Sequence, residues 1–313
     1  MESLINCKNM KTPLVIIIYN RHKYTYSLIE SIKHVKPNNI FVIADGPKRN
    51  NVNDKIKCDK TRRIIDKVNW TENITKIYSE INLGLENRIV TGLDFVFSKV
   101  DRAIILEDDC IPNRTFFAYC SELLDKYENN LTISHIGGSR FIDTDDTNDS
   151  YYFSKYSIEW GWATWKNRWL RYDGEMSDWP LIKKNKNYID LFNNKKTEKY
   201  WNWIFENCYN GNINSWAYKW KYKNISQNKL SIIPNKNLIN NIGIGYNSTN
   251  TKLKNRYFPQ NSFDIKLPLI HPTDIQTNHI NDERQEYILY NKSVLWLELF
   301  TKRLKPLLNK LKL

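Results

Sequence analysis

Three adjacent carboxylates, Glu107, Asp108 and Asp109, follow the apolar run at residues 102–106. Negative charges so close together repel one another, so a positively charged partner is expected among them. A divalent cation would relieve this repulsion and could hold a diphosphate at the same time, because Mg²⁺ and Mn²⁺ usually take one or two protein carboxylates and complete their shell with phosphate and water. The triplet therefore predicts a nucleotide-diphosphate site; a chance acidic turn is the alternative.

The position of the triplet favours the first interpretation. Residues 102–106 are β-branched and aliphatic, which is typical of a strand buried on both faces of a parallel sheet. In open α/β sheets ligands bind beyond the carboxyl ends of the strands, and the triplet falls at such an end. Polar residues follow the other predicted strands in the same way: Asn20 and Arg21, Asp45, then Asn82, Gly84 and Arg88. Taken singly, Asp45 could only start a turn and Arg88 could be a solvated helix residue.

Strand and helix signals alternate along the first half, which predicts an α/β fold with parallel βαβ units. The predicted strands are residues 14–19, Ile40–Ala44, Ile74–Tyr78, 102–106 and 132–136, and a later one covers 230–233. The predicted helices are residues 24–34, 62–68, Leu85–Lys99 and 116–127. No element is assigned to the variable, charged Asn/Lys segment before residue 62. We expect a nucleotide-binding half at 1–138, a second half of the same domain at 139–270, and an extension at 271–313.

Tryptophan becomes dense from about residue 151, and helices are expected to carry Trp201, Trp203, Trp216 and Trp220. Such rings could form a stacking platform for sugars or bases. Because Trp is usually well buried, most of them are instead assigned to the core.

Composition limits the classes of protein. With 313 residues and 41% hydrophobic content, the chain can bury a large core. Five scattered cysteines without C-x-x-C spacing suggest neither a disulfide framework nor a zinc site, and fit a reducing compartment. No apolar run approaches the span of a bilayer, so a cytoplasmic protein is expected. The net charge of +13 suggests an anionic partner: a polyanion, a membrane surface or a phosphate-bearing substrate.

The C-terminal segment, residues 293–313, combines leucines and two large aromatic rings with five Lys or Arg residues. This pattern predicts an interfacial amphipathic helix that meets an anionic membrane, which would make the protein peripheral on the inner face of the membrane. An ordinary C-terminal helix with a basic end is the alternative.

Six segments together resemble glycosyltransferases of the GT-A fold, especially bacterial members similar to the animal N-acetylglucosaminyltransferase that carries a Glu-Asp-Asp triplet. They are PLVIIIYNR, ADGP, INLGLENRIVTGLDFVF, AIILEDDCIPN, EWGWATWKNRW and SIIPNKNLINNIGIG, and they cover roughly residues 12–250. The resemblance implies a GT-A, Rossmann-like sheet with a Trp-rich acceptor half. It also implies an inverting, metal-dependent hexosyl- or N-acetylhexosaminyltransferase of polysaccharide biosynthesis, which uses a nucleotide-sugar donor such as a UDP-sugar and a saccharide or lipid-linked acceptor.

The resemblance also implies roles for single residues. Asp45 would hold the nucleoside and Arg88 would approach the diphosphate or sugar. Asp109 would be the direct ligand of Mn²⁺ or Mg²⁺, with Asp108 beside it. The remaining donor-binding positions are Asn20, Arg21, Asn82, Gly84 and Glu107, and the residues expected to line the sugar cleft are Trp160, Gly161 and Trp162.

Two departures from the family pattern concern the mechanism. Relatives often carry an acid in the later Trp-rich helix, where this chain has Ala217. Some carry a late histidine ligand, where this chain offers Asn250. The catalytic base is therefore assigned to Glu159, with Asp173 and Asp178 as alternatives.

Two other classes of function stay open. Basic-aromatic stretches such as WAYKWKYKN and the high positive charge are typical of nucleic-acid binders. This class is not favoured, because the acidic triplet repels phosphate unless a metal intervenes. A noncatalytic membrane-surface protein would depend on residues 293–313 alone.

Overall fold

The computed structural model describes residues 10–71, 73–142, 148–185, 192, 195–243 and 261–290. In chain order the strands of the large sheet and of a small two-stranded one are β1 Leu14–Ile18, β2 Ile40–Ala44, β3 Ile74–Tyr78, β4 Arg102–Glu107, β5 Cys110–Pro112, β6 Ile133–Gly137, β7 Tyr151–Ser154, β8 Trp162–Trp165, β9 Leu230–Pro234 and β10 Ile239–Asn241. The helices are α1 His22–Ile32, α2 Val52–Asp66, α3 Leu85–Lys99, α4 Phe116–Lys126, α5 Lys166–Trp169, α6 Trp179–Asn185, α7 Lys195–Tyr209, α8 Trp216–Ser226 and α9 His279–Leu289.

The fold is α/β, as predicted, and is built on one eight-stranded sheet. The strand order is β3-β2-β1-β4-β8-β6-β9-β7. The first four strands in this order, β3 to β4, pair in parallel, and helices connect them along the chain. Every residue of β1 and β2 is buried, which explains their continuous apolar sequences. Because parallel strands run the same way, the carboxyl ends of β1, β2, β3 and β4 lie at one edge of the sheet.

Strands from the second half complete the same sheet. β8 pairs antiparallel with β4 on one side and with β6 on the other. β9 then pairs in parallel with β6, and β7 closes the sheet against β9. Strands from before and after residue 138 are thus interleaved. The sequence did not predict β7 and β8, because aromatic residues on a fully buried strand show no period-two alternation.

Most tryptophans lie in the core, as expected. Seven are at most 4% exposed: Trp162, Trp165, Trp169, Trp179, Trp201, Trp216 and Trp220. The rings of Trp216 and Trp220 lie 5.7 and 5.9 Å from that of Trp162. The imidazole of His135 stacks on the same ring at 5.1 Å. The aromatic residues of the second half therefore fill core clusters on both faces of the sheet and the space between α6, α7 and α8.

The helix α2 begins at Val52, ten residues before the predicted start. Asn51 caps it by accepting a hydrogen bond from the backbone N–H of Asp54. Its buried face carries Asp54, Cys58, Thr61 and Ile65, so the apolar periodicity is weak. Burial of Asp54 is possible because its carboxylate accepts hydrogen bonds from Tyr19, Asn20 and Lys48, partners that the local sequence does not reveal.

Within the described ranges, none of the helices combines the length and the apolar character that crossing a bilayer requires. The expected interfacial helix at 293–313 and the position of Asn250 lie outside the described residues.

Candidate functional site

The acidic triplet lies at the carboxyl edge of the sheet, where the sequence predicted it. Glu107 ends β4, and Asp108 and Asp109 form the turn that leads into β5. The N–H of Asp108 donates to the carbonyl of Ile17 in β1, at 3.0 Å. The strand β10 pairs with β5, and the N–H of Ile242 donates to the carbonyl of Asp109 at 2.9 Å. Main-chain bonds therefore hold the triplet from both sides.

The positively charged group among these carboxylates is Arg21. Its Nε donates to Asp108 Oδ2 at 3.2 Å, and its Nη2 donates to Asp108 Oδ1. Its Nη1 donates to Asp109 Oδ2 at 2.9 Å. Burial lowers the pKa of the guanidinium, but the charges of Asp108 and Asp109 outweigh it and raise that pKa above its ordinary value. The end of β1 thus supplies the cation for the end of β4, its neighbour in the sheet.

Burial acts on two carboxyl groups of the triplet against the effect of Arg21. Burial and then the charge of Asp109 raise the pKa of Glu107 to about 8, although Arg21 opposes the shift. Burial raises the pKa of Asp108 to about 7, again against the effect of Arg21. Three carboxyl groups lie around one guanidinium, so a further cation would be attracted to the site.

The donor set fits a divalent cation of the kind that shares its shell with phosphate. Both oxygens of Asp108 are bound by Arg21, whereas the partner of Asp109 Oδ1 among the described residues is the weakly donating Cys110 thiol, at 3.7 Å. The side chain of Asp109 is 14% exposed. In the described part of the chain no three His, Cys, Asp or Glu side chains form a metal-binding group by themselves. Asp109, with Asp108 behind it, would therefore offer one or two ligands, the number that Mg²⁺ usually takes from a protein.

Asp45 organises the loop that precedes α3. Its Oδ1 accepts hydrogen bonds from the N–H groups of Gly46 and Leu83, both at 2.9 Å. Its Oδ2 accepts from Asn82 Nδ2 and from the N–H of Gly84, both at 3.0 Å. The structure thus brings Asp45, Asn82 and Gly84 together, but it engages both carboxylate oxygens internally. In this arrangement Asp45 positions the loop.

Arg88 lies one turn into α3 and is 7% exposed. Burial lowers its pKa, and the charge of Asp45 opposes this effect. Its Nε has no hydrogen-bond partner among the described residues. Arg88 is therefore close to Asp45, with part of its donor capacity unused.

Asn20 is bound to Asp54, with Nδ2 2.6 Å from Oδ1. Sequence reasoning missed Asp54 because it lies within the segment to which no element is assigned from sequence.

The Trp-Gly-Trp segment divides between the core and the surface. Trp162 is 1% exposed because β8 directs its ring into the tryptophan cluster, so the prediction that it lines a cleft needs correction. Gly161 has a φ of +64°, and a Cβ there would lie 2.5 Å from the side chain of Ile239, so this position requires glycine. Trp160 is half-buried and packs edge-on against Phe141, with 4.9 Å between the ring centroids.

Of the three candidate bases, Glu159 is electrostatically coupled to the triplet, because its charge contributes to the raised pKa of Glu107. It accepts hydrogen bonds from Ser157 Oγ at 2.6 Å and Lys221 Nζ at 3.4 Å.

The other two carboxylates make local structural contacts. Asp173 accepts hydrogen bonds from the N–H groups of Glu175 and Ser177, at 3.0 and 2.8 Å, and so closes a turn. Asp178 accepts from Tyr222 Oη at 2.6 Å and Lys223 Nζ at 2.9 Å, which fixes α8.

No protein-family model and no curated protein sequence matches this chain. Among solved structures, it is similar to a 4-diphosphocytidyl-2C-methyl-D-erythritol synthase from Anaerococcus prevotii, with 14% identity over 52% of this chain and 74% of the other, at a TM-score of 0.33. It is also similar to the galactosyltransferase LgtC, solved with donor and acceptor sugar analogues, with 12% identity over 56% of this chain and 66% of that one, at 0.34. A UDP-glucose pyrophosphorylase bound to UDP-glucose overlaps 46% of this chain and 62% of its own, with 11% identity and a TM-score of 0.25.

Proposed function

We propose that this protein is a metal-dependent glycosyltransferase that moves a sugar from a nucleotide diphosphate donor, a UDP-sugar, to an acceptor hydroxyl. The observation that carries the proposal is the pairing of Arg21 with Asp108 and Asp109 at the carboxyl edge of a parallel sheet. A guanidinium beside partly unneutralised carboxylates can bind a diphosphate and its metal together. The Arg21 side chain as a whole is 27% exposed.

Each element of the site has a role in this reaction. Asp109, assisted by Asp108, would hold Mn²⁺ or Mg²⁺, which when bound neutralises charge on the leaving diphosphate. Arg21 would bind the diphosphate oxygens, and the loop fixed by Asp45 would face the nucleoside.

The proton of the acceptor hydroxyl would pass to Glu159, whose carboxylate is oriented by Ser157 and Lys221. Attack on the side of the sugar opposite the diphosphate would invert the anomeric centre. No acid stands at position 217, so Glu159 takes the role that this helix residue has in similar enzymes.

The donor site is tested by calorimetry with UDP and with other nucleoside diphosphates, each with Mn²⁺ or with a chelator. We expect metal-dependent binding that falls about tenfold or more in Asp109→Asn, because a direct metal ligand contributes at least as much as its supporting residues. Asp59→Asn is the control, since the Asp59 side chain is 42% exposed and its ion pair is with the neighbouring Lys55. Nucleotide binding that neither the chelator nor Asp109→Asn changes would refute the metal site. No binding under any condition would favour the nucleic-acid alternative.

The base is tested by transfer rates under saturating donor. Glu159→Gln is expected to lower kcat by about 100-fold or more while leaving UDP affinity unchanged, because it removes proton acceptance and little else. Asp173→Asn and Asp178→Asn are expected to retain transfer. If Glu159→Gln keeps nearly full activity, the assignment is wrong.

We further propose a saccharide or lipid-linked saccharide as acceptor, and residues 293–313 as the membrane-contacting segment. The basic and apolar composition of that segment supports the second part. Flotation with anionic liposomes should be lost when these residues are removed, and equal flotation of both forms would contradict it.

A further inference from the structure

A cavity of about 420 Å³ opens between four segments, which are residues 86–94 of α3, the turn at 172–175, residues 211–214 and the N-terminal end of α8. Its size lies at the lower end of the roughly 300–1,000 Å³ that small-molecule sites occupy. None of the triplet carboxylates lines it, and neither does Arg21. The cavity is therefore a separate feature from the proposed donor site.

The charge of the lining excludes a phosphate-bearing ligand. Glu86, Asp94 and Glu175 line the cavity together with one cation, Lys219. Lys219 Nζ is already bound to Glu86 Oε1 at 2.6 Å. The remaining carboxylates would repel an anion, although the chain as a whole is strongly basic. They also do not demand a cation, because Asp94 and Glu175 are exposed to water.

Two buried oxygen atoms at the cavity have no partner in the part of the chain that is described. Glu86 is 8% exposed, and its second oxygen, Oε2, accepts no hydrogen bond. The hydroxyl of Tyr172 is likewise unpaired. Burial raises the pKa of Tyr172, and the charges of Glu86 and Asp94 raise it further, so this hydroxyl lies within the electrostatic reach of both carboxylates. Buried polar atoms are normally satisfied, so Glu86 Oε2 can still accept a hydrogen bond and the Tyr172 hydroxyl can still donate or accept one.

The aromatic wall of the cavity is held in place. Tyr172 stacks on Trp169 with 5.0 Å between ring centroids and an interplanar angle of 6°. Trp169 Nε1 in turn donates to Asp94 Oδ1 at 2.7 Å. Val90 and Ile213 add apolar surface next to the ring. The lining thus joins an ordered aromatic ring and aliphatic groups to carboxylates and the amides of Asn87 and Asn214.

We infer that this cavity is a saccharide subsite, which takes a neutral polyhydroxylated ring. Sugar hydroxyls can donate to Glu86 Oε2 and to Asp94 Oδ2 and can accept from the asparagine amides, while the C–H face of the ring packs on Tyr172. The further identification of this saccharide as part of the acceptor rests on the proposed transferase function. The presence of the subsite does not.

The subsite is tested without nucleotide by saturation-transfer difference NMR with the methyl glycosides of glucose, galactose, mannose and N-acetylglucosamine. At least one glycoside is expected to bind, with signals from its ring protons. Tyr172→Phe, which keeps the stacked ring, should weaken that binding about twofold to tenfold, the effect of one neutral hydrogen bond. Glu86→Gln should weaken it about tenfold or more, because a charged acceptor is lost. The matched controls are Tyr287→Phe and Glu283→Gln, since both residues are exposed on α9.

Gly174→Trp provides a steric test that leaves the donor site untouched. Among the described residues, a Cβ at position 174 would meet one ring carbon of Tyr172 at 3.6 Å and its hydroxyl oxygen at 4.0 Å, so a large side chain can start there and fill the cavity. Glycoside binding should be lost, while binding of UDP with Mn²⁺ stays unchanged.

The outcomes separate this inference from the proposed function. Failure of all four glycosides to bind the wild type, or full retention of binding in Gly174→Trp, would overturn the subsite. Binding of spermidine in place of any glycoside would also overturn it and would indicate a polyamine site. Glycoside binding that the variants abolish, in a protein that binds no nucleotide, would keep the subsite and reject the transferase.

Discussion

Replacement of Asp45 by Asn should destabilise the fold and loosen the loop in front of α3. The Asp45 carboxylate accepts four hydrogen bonds, two at each oxygen. An asparagine can keep one acceptor oxygen, but its NH₂ group must then face two donors. Two bonds to a charged acceptor are lost, each contributing about 1.5–3 kcal/mol. Because the amide can rotate and water can enter, we expect a net loss of about 2–4 kcal/mol in the free energy of unfolding.

Urea denaturation at pH 7 measures this loss, with the slope of the transition checked for constancy. Asp59→Asn is again the control, because an exposed i,i+4 pair with Lys55 contributes less than about 0.5 kcal/mol. Hydrogen exchange gives a local reading: the amides of Leu83 and Gly84 should exchange faster in Asp45→Asn. Stability within 0.5 kcal/mol of the wild type, together with unchanged protection of these two amides, would refute the assigned role of the carboxylate.

Two further predictions concern His135 and Gly243. Burial lowers the pKa of His135 to about 3, and the ring is held neutral between the indole N–H of Trp220 and the carbonyl of Ile158. The unfolded chain binds this proton near pH 6.5, so the contribution of the neutral ring to the free energy of unfolding is complete above that pH. It is lost as the pH falls towards 3, by up to about 5 kcal/mol. Urea titrations should show that stability depends less on pH in His135→Gln than in the wild type, and an equal pH dependence would contradict the assignment. A Cβ at Gly243 would lie 2.1 Å from Asp109 Oδ2. Gly243→Ala should therefore displace that carboxylate and weaken binding of UDP with Mn²⁺ by about tenfold to 100-fold, whereas calorimetry on Gly174→Ala should show wild-type affinity.

The parallel part of the sheet could be predicted from sequence because burial on both faces leaves a plain signal. β1 and β2 are continuous apolar runs, and the carboxyl-edge position of the triplet follows from the end of β4. The helix α3 has the predicted bounds, since its apolar residues recur on one face. In these elements the local pattern and the tertiary environment agree.

Other features depend on contacts between distant residues, which one sequence does not display. Arg21 pairs with Asp108 across 87 positions of the sequence. This partner could be predicted only by knowing that β1 and β4 are neighbours in the sheet. The early start of α2 was hidden because Asp54 is buried through hydrogen bonds from outside the helix. The cavity beside α3 is formed by four separate segments, and no spacing in the sequence joins them.

The interleaving of β8 has a consequence for synthesis of the chain. β4 and β6 are both made before residue 138, yet the strand that joins them spans Trp162–Trp165. When the first half leaves the ribosome, the inner side of β4 is an open edge with apolar faces, a surface that favours pairing with other chains. It stays open until the aromatic strand emerges. Translation of the segment between β6 and β8 is therefore the interval in which we expect the nascent chain to depend most on chaperones.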